Sequence, residues 1–119
     1  MAQKTKTRTI TITEESGTFY SLFKRFRGEK EEFDFQGIAS LRTIISNEKA
    51  RILHTIKSKN PQSIYSLAKI LGRDFKSVNQ DIKLLEKFGF IDLVAEKTGN
   101  RERLKPKLAV DSINIIINL

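Results

Sequence analysis

The chain is predicted to fold as an α+β protein, because helical periodicity and strand alternation occupy separate stretches of the sequence. The helical signal peaks between Gln62 and Gly89, where Ile64, Leu67, Ala68 and Leu71 recur at i, i+3, i+4 and i+7 and leave Tyr65, Ser66 and Lys69 on the outside. Gly72 follows the last apolar position, where a left-handed residue closes a helix at little cost, and Asp74 is placed to cap the next one. A second stripe, Phe75, Val78, Ile82, Leu85 and Phe88, then runs to Gly89, with Lys76, Ser77, Asn79, Gln80 and Lys83 largely on the other side. That outer face carries long donors and amides, groups that pair with base edges.

After Gly89 the pattern changes to strands. Phe90–Val94 is a strand-like run, Lys97-Thr98-Gly99-Asn100-Arg101 has turn chemistry, and Leu104–Leu108 returns as a second strand. A basic-tipped hairpin directly behind such a helix pair is a wing, so residues 46–108 are expected to form a winged helix-turn-helix. Leu67-Ala68, Leu71-Gly72-Arg73-Asp74, Val78, Asp81-Ile82, Leu84-Leu85-Glu86 and Gly89-Phe90-Ile91 resemble winged helix-turn-helix transcriptional regulators of the MarR/ArsR superfamily. Within it the chain is similar to small archaeal-type DNA-binding regulators, some of them held to act as antitoxins; the Ile-rich tail after Asp111 is similar to that group too. The resemblance implies binding to double-stranded DNA and gene regulation, more specifically repression, by a homodimer.

Residues 1–45 read as a strand-helix-strand extension. Arg8–Thr13 alternates and is β-branched, with Ile10 and Ile12 pointing inward. Phe19, Leu22, Phe23 and Phe26 fall at helical spacing, with Lys24, Arg25 and Arg27 opposite and Gly28 at the end, and Glu32–Gln36 alternates as a short strand before Gly37. The aromatic face of that helix suits either the core or a dimer interface. A short helix from Ile38 to Ile45 leads to Ser46, the cap expected for a helix through Lys57 whose inner residues are Ala50, Ile52, Leu53 and Ile56; Asn60-Pro61 ends it. Residues 109–119 supply a last strand, in which Ile113, Ile115, Ile117 and Leu119 alternate with other residues. So apolar a strand is hazardous unless paired, so the strands outside 46–108 are expected to build a small extra sheet joining the chain ends, within one chain or between protomers. The whole is expected to be one compact domain.

Composition sets the partner. Across 119 residues, 22 Lys and Arg stand against 14 Asp and Glu, giving a net charge of +8 and a pI near 9.9, the footprint of a phosphate-rich partner, although an acidic protein fits the same charge. Lys4, Lys6 and Arg8 near the start suit either a solvated terminus or an arm that tracks DNA. Cysteine is absent, which excludes disulfides and thiolate metal sites; no apolar run nears the ~20 residues of a membrane span; and with no signal-peptide pattern a cytoplasmic location is expected. His54 is the only histidine, and Asp74 and Asp81 read as a cap and a structural contact, so no catalytic, metal or cofactor site is expected.

The expected DNA contacts divide by chemistry. Lys76, Ser77, Asn79, Gln80 and Lys83 would read base edges in the major groove, Asn79 and Gln80 foremost; Tyr65, Ser66 and Lys69 would hold backbone phosphates; Lys97, Arg101 and Arg103 would act from the wing. Glu96 and Glu102 interleave with the wing cations and could instead pair with them. Arg73 suits either a phosphate or a carboxylate that fixes the helix pair. The competing class is a protein-interaction module, such as an antitoxin holding a toxin, with DNA binding secondary; RNA binding ranks last.

Overall fold

The computed structural model has four helices and two small sheets and describes residues 6–15, 18–24, 31–34 and 38–119. In chain order these are β1 (Thr7–Glu15), β2 (Thr18–Lys24), β3 (Glu31–Asp34), α1 (Ile38–Ile44), α2 (Asn47–Lys59), α3 (Ile64–Leu71), α4 (Phe75–Lys87), β4 (Ile91–Thr98), β5 (Arg101–Leu108) and β6 (Ser112–Ile117). They form two compact units, Asn47–Ala109, and Met1–Ser46 together with Val110–Leu119.

In the first unit each helix ends where local chemistry stops it. Asn60 takes a left-handed φ of 47° behind α2, with its N–H donating to Ile56 O, and Pro61 follows. Ser63 caps α3 in extended backbone and accepts from Ser66 N–H at 3.0 Å. Gly72 closes α3 at φ 68°, so that its N–H reaches Lys69 O and the N–H of Arg73 reaches Ala68 O, the paired bonds of a Schellman motif. Asp74 then caps α4, accepting from Ser77 N–H at 2.8 Å. The same pair of bonds ends α4, from Gly89 N–H to Glu86 O and from Phe90 N–H to Leu85 O.

These ends orient one core. Ile52 and Ile56 of α2, Ile64, Leu67 and Ala68 of α3, and Val78, Ile82 and Leu85 of α4 are buried with Phe88, Phe90 and Ile91. Phe88 and Phe90 stack with centroids 6.2 Å apart. Each such side chain contributes about 1.5–3 kcal/mol by leaving water. Ala50 departs from the expected inner face: it is exposed, and Thr55 is buried instead. Phe75 departs as well, since it is 47% exposed; as the first residue of α4 it lies ahead of the turns that pack.

β4 and β5 pair antiparallel from Ile91↔Leu108 to Thr98↔Arg101, a longer hairpin than the two short strands expected. Its two-residue loop has Gly99 at φ 65°, the positive value a type II′ turn needs at its first central residue. Pro106 sits inside β5 opposite Leu93 and is fully buried. A strand tolerates proline there because a two-stranded sheet leaves every other backbone nitrogen facing away from its only partner.

The second unit holds a four-stranded sheet of order β3-β2-β1-β6, with β1–β2 and β2–β3 antiparallel and β1–β6 parallel, and α1 lying against β2. The two ends of the chain are therefore neighbours in one sheet: Thr7 pairs with Ser112 and Ile12 with Ile117, and Thr7 and Ser112 join hydroxyls at 2.8 Å. Ile10 and Ile12 are buried, as their alternation implies.

The extension is not strand-helix-strand. Thr18–Lys24, expected in the helix of Phe19 to Phe26, is strand β2, so among the described residues three strands precede the first helix. Aromatic residues favour strands, and β1 and β3 pair with this segment on either side. Phe26 and Gly28, residues 35–36 of the expected second strand with Gly37 behind it, and Lys4 of the basic terminus lie outside the described residues.

Candidate functional site

The exposed functional groups of the first unit gather around a groove. Its volume is about 520 Å³, and it is lined by Ser63 to Ser66 at the start of α3, by Phe75 and Asn79 on α4, and by Arg101 to Leu104 on β5. Tyr65 (58% exposed), Phe75 and Leu104 give it apolar surface, Asn79 an amide, and Arg101, Glu102 and Arg103 its charges. Asn79 lies one helical turn beyond Phe75, which is why both reach the same opening.

Five of the sequence-predicted residues meet here: Tyr65, Ser66, Asn79, Arg101 and Arg103. Ser66 is partly committed, since its hydroxyl oxygen accepts from the Ser63 hydroxyl at 3.1 Å. Lys69 is exposed one turn beyond Tyr65, with Nζ 5.0 Å from the ring centroid, a cation–π contact on the outer face of α3.

Beside the groove, Lys76, Gln80 and Lys83 are exposed along one stripe of α4, and Lys87 extends that stripe by a further turn. Their spacing aims them together into solvent, and Lys87 Nζ also lies 5.8 Å from the centroid of the Phe88 ring.

Two of the predicted residues serve the helix pair itself. Arg73 Nη2 donates to Asp81 Oδ2 at 2.9 Å and to Ser77 Oγ at 2.7 Å, while Lys49 Nζ of α2 lies 3.6 Å from Asp81 Oδ1. Of the two roles open to Arg73 in the sequence, the geometry provides the carboxylate. The Gly72 closure makes this reach short, because it turns Arg73 back over the start of α4. Asp81 thereby ties the turn and α2 to one side of α4, and with side chains only 14–24% exposed the three charges are shielded from much of the solvent.

The hairpin sorts its charges by strand parity. Residues directly opposite share a face, so Arg101, Arg103, Lys105 and Lys107 form a basic row on one face, joined by Asp92, Val94 and Glu96. The other face carries Leu104, buried Pro106 and Leu108 with Lys97 opposite Glu102. Lys97 is therefore separated from Arg101 and Arg103, and the sequence reading missed Lys105 and Lys107. The signal was present as R-x-R-x-K-x-K, but starting the strand at Leu104 cut it in half.

Electrostatics follow the division into units. Asn47–Ala109 contains fourteen Lys and Arg against seven Asp and Glu, so +7 of the chain's +8 resides in the unit with the groove. Among the described residues no three His, Cys, Asp or Glu are grouped to hold a metal ion, and His54 is exposed on α2. No helix among them is long and apolar enough to cross a membrane.

This arrangement of a capped helix pair, a cationic hairpin and a groove between them lies within the segment that identifies the chain's relatives. The family model described as HVO_A0114 matches residues 44–115, more than half of the sequence, and the chain belongs to that family. Its description names no activity or partner. No curated protein matches the chain.

Proposed function

We propose that the protein is a sequence-specific double-stranded-DNA-binding transcriptional regulator, a homodimeric repressor of winged helix-turn-helix type. In this reading α3 and α4 are the helix-turn-helix, α4 is the recognition helix, and β4–β5 is the wing. The observation that carries it is the groove in which Asn79 of α4 shares an opening with Arg101 and Arg103 of β5, within a unit of formal charge +7. A duplex presents base edges in its major groove and phosphates on either side, so an amide-bearing helix with a cationic hairpin beside it matches both. Asn79, Gln80, Lys76 and Lys83 read bases; Lys69 and Tyr65 hold phosphate from α3; Arg101 and Arg103 follow the backbone or enter a narrow minor groove. Ser77 and Arg73 act indirectly, by holding the register of α4.

The test is binding of the full chain to the DNA upstream of its own gene and to a scrambled duplex across a salt series. Preference for the native sequence, removed by Asn79→Ala with Gln80→Ala, is the expected result. Equal and steeply salt-dependent binding to both duplexes would reduce the reading to a general attraction for phosphate.

A second reading has an observation of its own. Tyr65, Phe75 and Leu104 leave an exposed apolar patch in the groove, and such patches mark protein contacts. A protein-interaction module, such as an antitoxin holding a toxin, would lose its partner on Tyr65→Ser with Phe75→Ser and lose nothing on Asn79→Ala with Gln80→Ala.

A further inference from the structure

The four-stranded sheet ends on an open edge. β6 pairs with β1 on one side, and among the described residues no strand lies on its other side. The direction of its backbone groups follows from two bonds: Ser112 N–H donates to Lys6 O at 3.3 Å and Asn118 N–H to Ile12 O at 2.9 Å. Even-numbered residues of β6 therefore face β1. Because N–H and C=O of one residue in a strand point the same way, Ile113, Ile115 and Ile117 turn theirs to the open edge.

The side chains lead to the same edge. Ile115 is the register partner of Ile10 and Ile117 that of Ile12, so all four share a face. Ile10 and Ile12 are buried, whereas Ile115 and Ile117 are 37% and 46% exposed. The apolar face of the sheet thus runs outward and stops uncovered. Charge distinguishes the two edges as well. β3, at the far edge, carries Glu31, Glu32 and Asp34, the usual protection against edge pairing, whereas Ser112–Leu119 has no charged side chain. The unit that contains the sheet has a formal charge of only +1, eight cations against seven anions, so its own charge opposes a second copy at this edge only weakly.

We propose that β6 is the homodimer interface, a second copy's β6 pairing antiparallel with it so that two four-stranded sheets become one of eight. This deepens the homodimer part of the proposed function and depends on none of its DNA contacts. The register is also determined. Open backbone groups meet only when odd-numbered residues face odd-numbered ones, which also keeps the isoleucines on one face. Centring the two-fold axis on Ile115 sets Ile113 opposite Ile117 of the second copy and Ile115 opposite its own copy, each pair exchanging both backbone bonds. This register uses the whole strand, Ser112–Ile117.

The experiment is sedimentation equilibrium of the full chain without DNA. The parent chain is expected to be a dimer. Ile115→Lys places like charges across the axis and Ile115→Pro removes an N–H that β1 does not use; each is expected to raise the dimer dissociation constant by roughly tenfold or more. Circular dichroism identifies a variant that has lost its fold, and the lysine variant, which leaves the backbone intact, carries the test if the proline variant fails. The chain has no cysteine, so Ile115→Cys introduces a single thiol that should oxidise to a linked dimer, whereas Ile113→Cys should not. A monomeric parent, a folded Ile115→Lys variant that stays dimeric, or linkage through Ile113→Cys alone would each overturn the proposal. A β6 dimer that binds no duplex would leave this interface intact and remove only the DNA reading.

Discussion

Asn47–Ala109 holds fourteen cations against seven anions, while Met1–Ser46 with Val110–Leu119 holds eight against seven. The same contrast runs through their architecture. The basic unit is continuous in sequence, its helices are stopped by caps a few residues away, and its exposed surface is a groove rimmed by Asn79, Arg101 and Arg103. The near-neutral unit is assembled from both ends of the chain, and its exposed surface is the aliphatic edge of β6. Formal charge is thus concentrated in the unit with the groove and nearly cancels in the unit with the open strand edge.

The largest effects test whether the units are distinct. Leu85→Ala empties a fully buried site in the helical unit and Ile12→Ala one in the sheet unit; each is expected to cost about 2–5 kcal/mol. Native-state hydrogen exchange should then show protection falling most in Asn47–Ala109 for the first variant and in β1 and β6 for the second. Equal loss across the whole chain in both variants would erase the distinction. Asp81→Ala comes next. It leaves Arg73 and Lys49 facing each other across a shielded position without their carboxylate, at an expected cost of about 2–3 kcal/mol in urea unfolding, less than for a fully buried pair because each group keeps some solvent.

The units also differ in how far their sequences disclosed them. The α3–α4 pair was legible because its stripes, Gly72 and Asp74 all act within one or two turns, and the chain's own neighbours satisfy them. β2 was not, since the apolar residues of Thr18–Lys24 follow helical spacing and the strand is decided by β1 and β3, which pair with it on either side. An apolar terminal strand could be read from Ile113, Ile115 and Ile117, but its parallel pairing with β1 joins residues about a hundred positions apart, which no local pattern encodes. In the site, Asn79, Arg101 and Arg103 were legible by residue type. Phe75 was misread because the stripe says which side of a helix a residue occupies and not whether another element lies there. The Arg73–Asp81 pairing could be framed from sequence as one of two roles, and only the turn geometry chose between them.

Smaller effects separate reading from holding within the basic unit. Asn79→Ala and Gln80→Ala should each remove about 1–3 kcal/mol of discrimination between operator and scrambled duplex while changing unfolding little, because neither side chain belongs to the buried core. Gly72→Ala should act the other way. A Cβ there meets no atom within 4 Å, so only the left-handed φ opposes it, at about 1–2 kcal/mol of stability, with discrimination retained in the folded fraction.

The smallest change concerns the hairpin row. Lys105→Ala and Lys107→Ala lie on the face of Arg101 and Arg103 but nearer the base of β5, with Lys107 opposite Asp92. If the row follows a phosphate strand, each substitution should lower the slope of log affinity against log salt by about one and weaken operator and scrambled duplex alike. The gradient along the row is the informative quantity. Arg101→Ala and Arg103→Ala, at the groove, should change the slope at least as much as the two lysines. A slope that responds to the lysines alone would move the phosphate track away from the groove and towards the base of the hairpin.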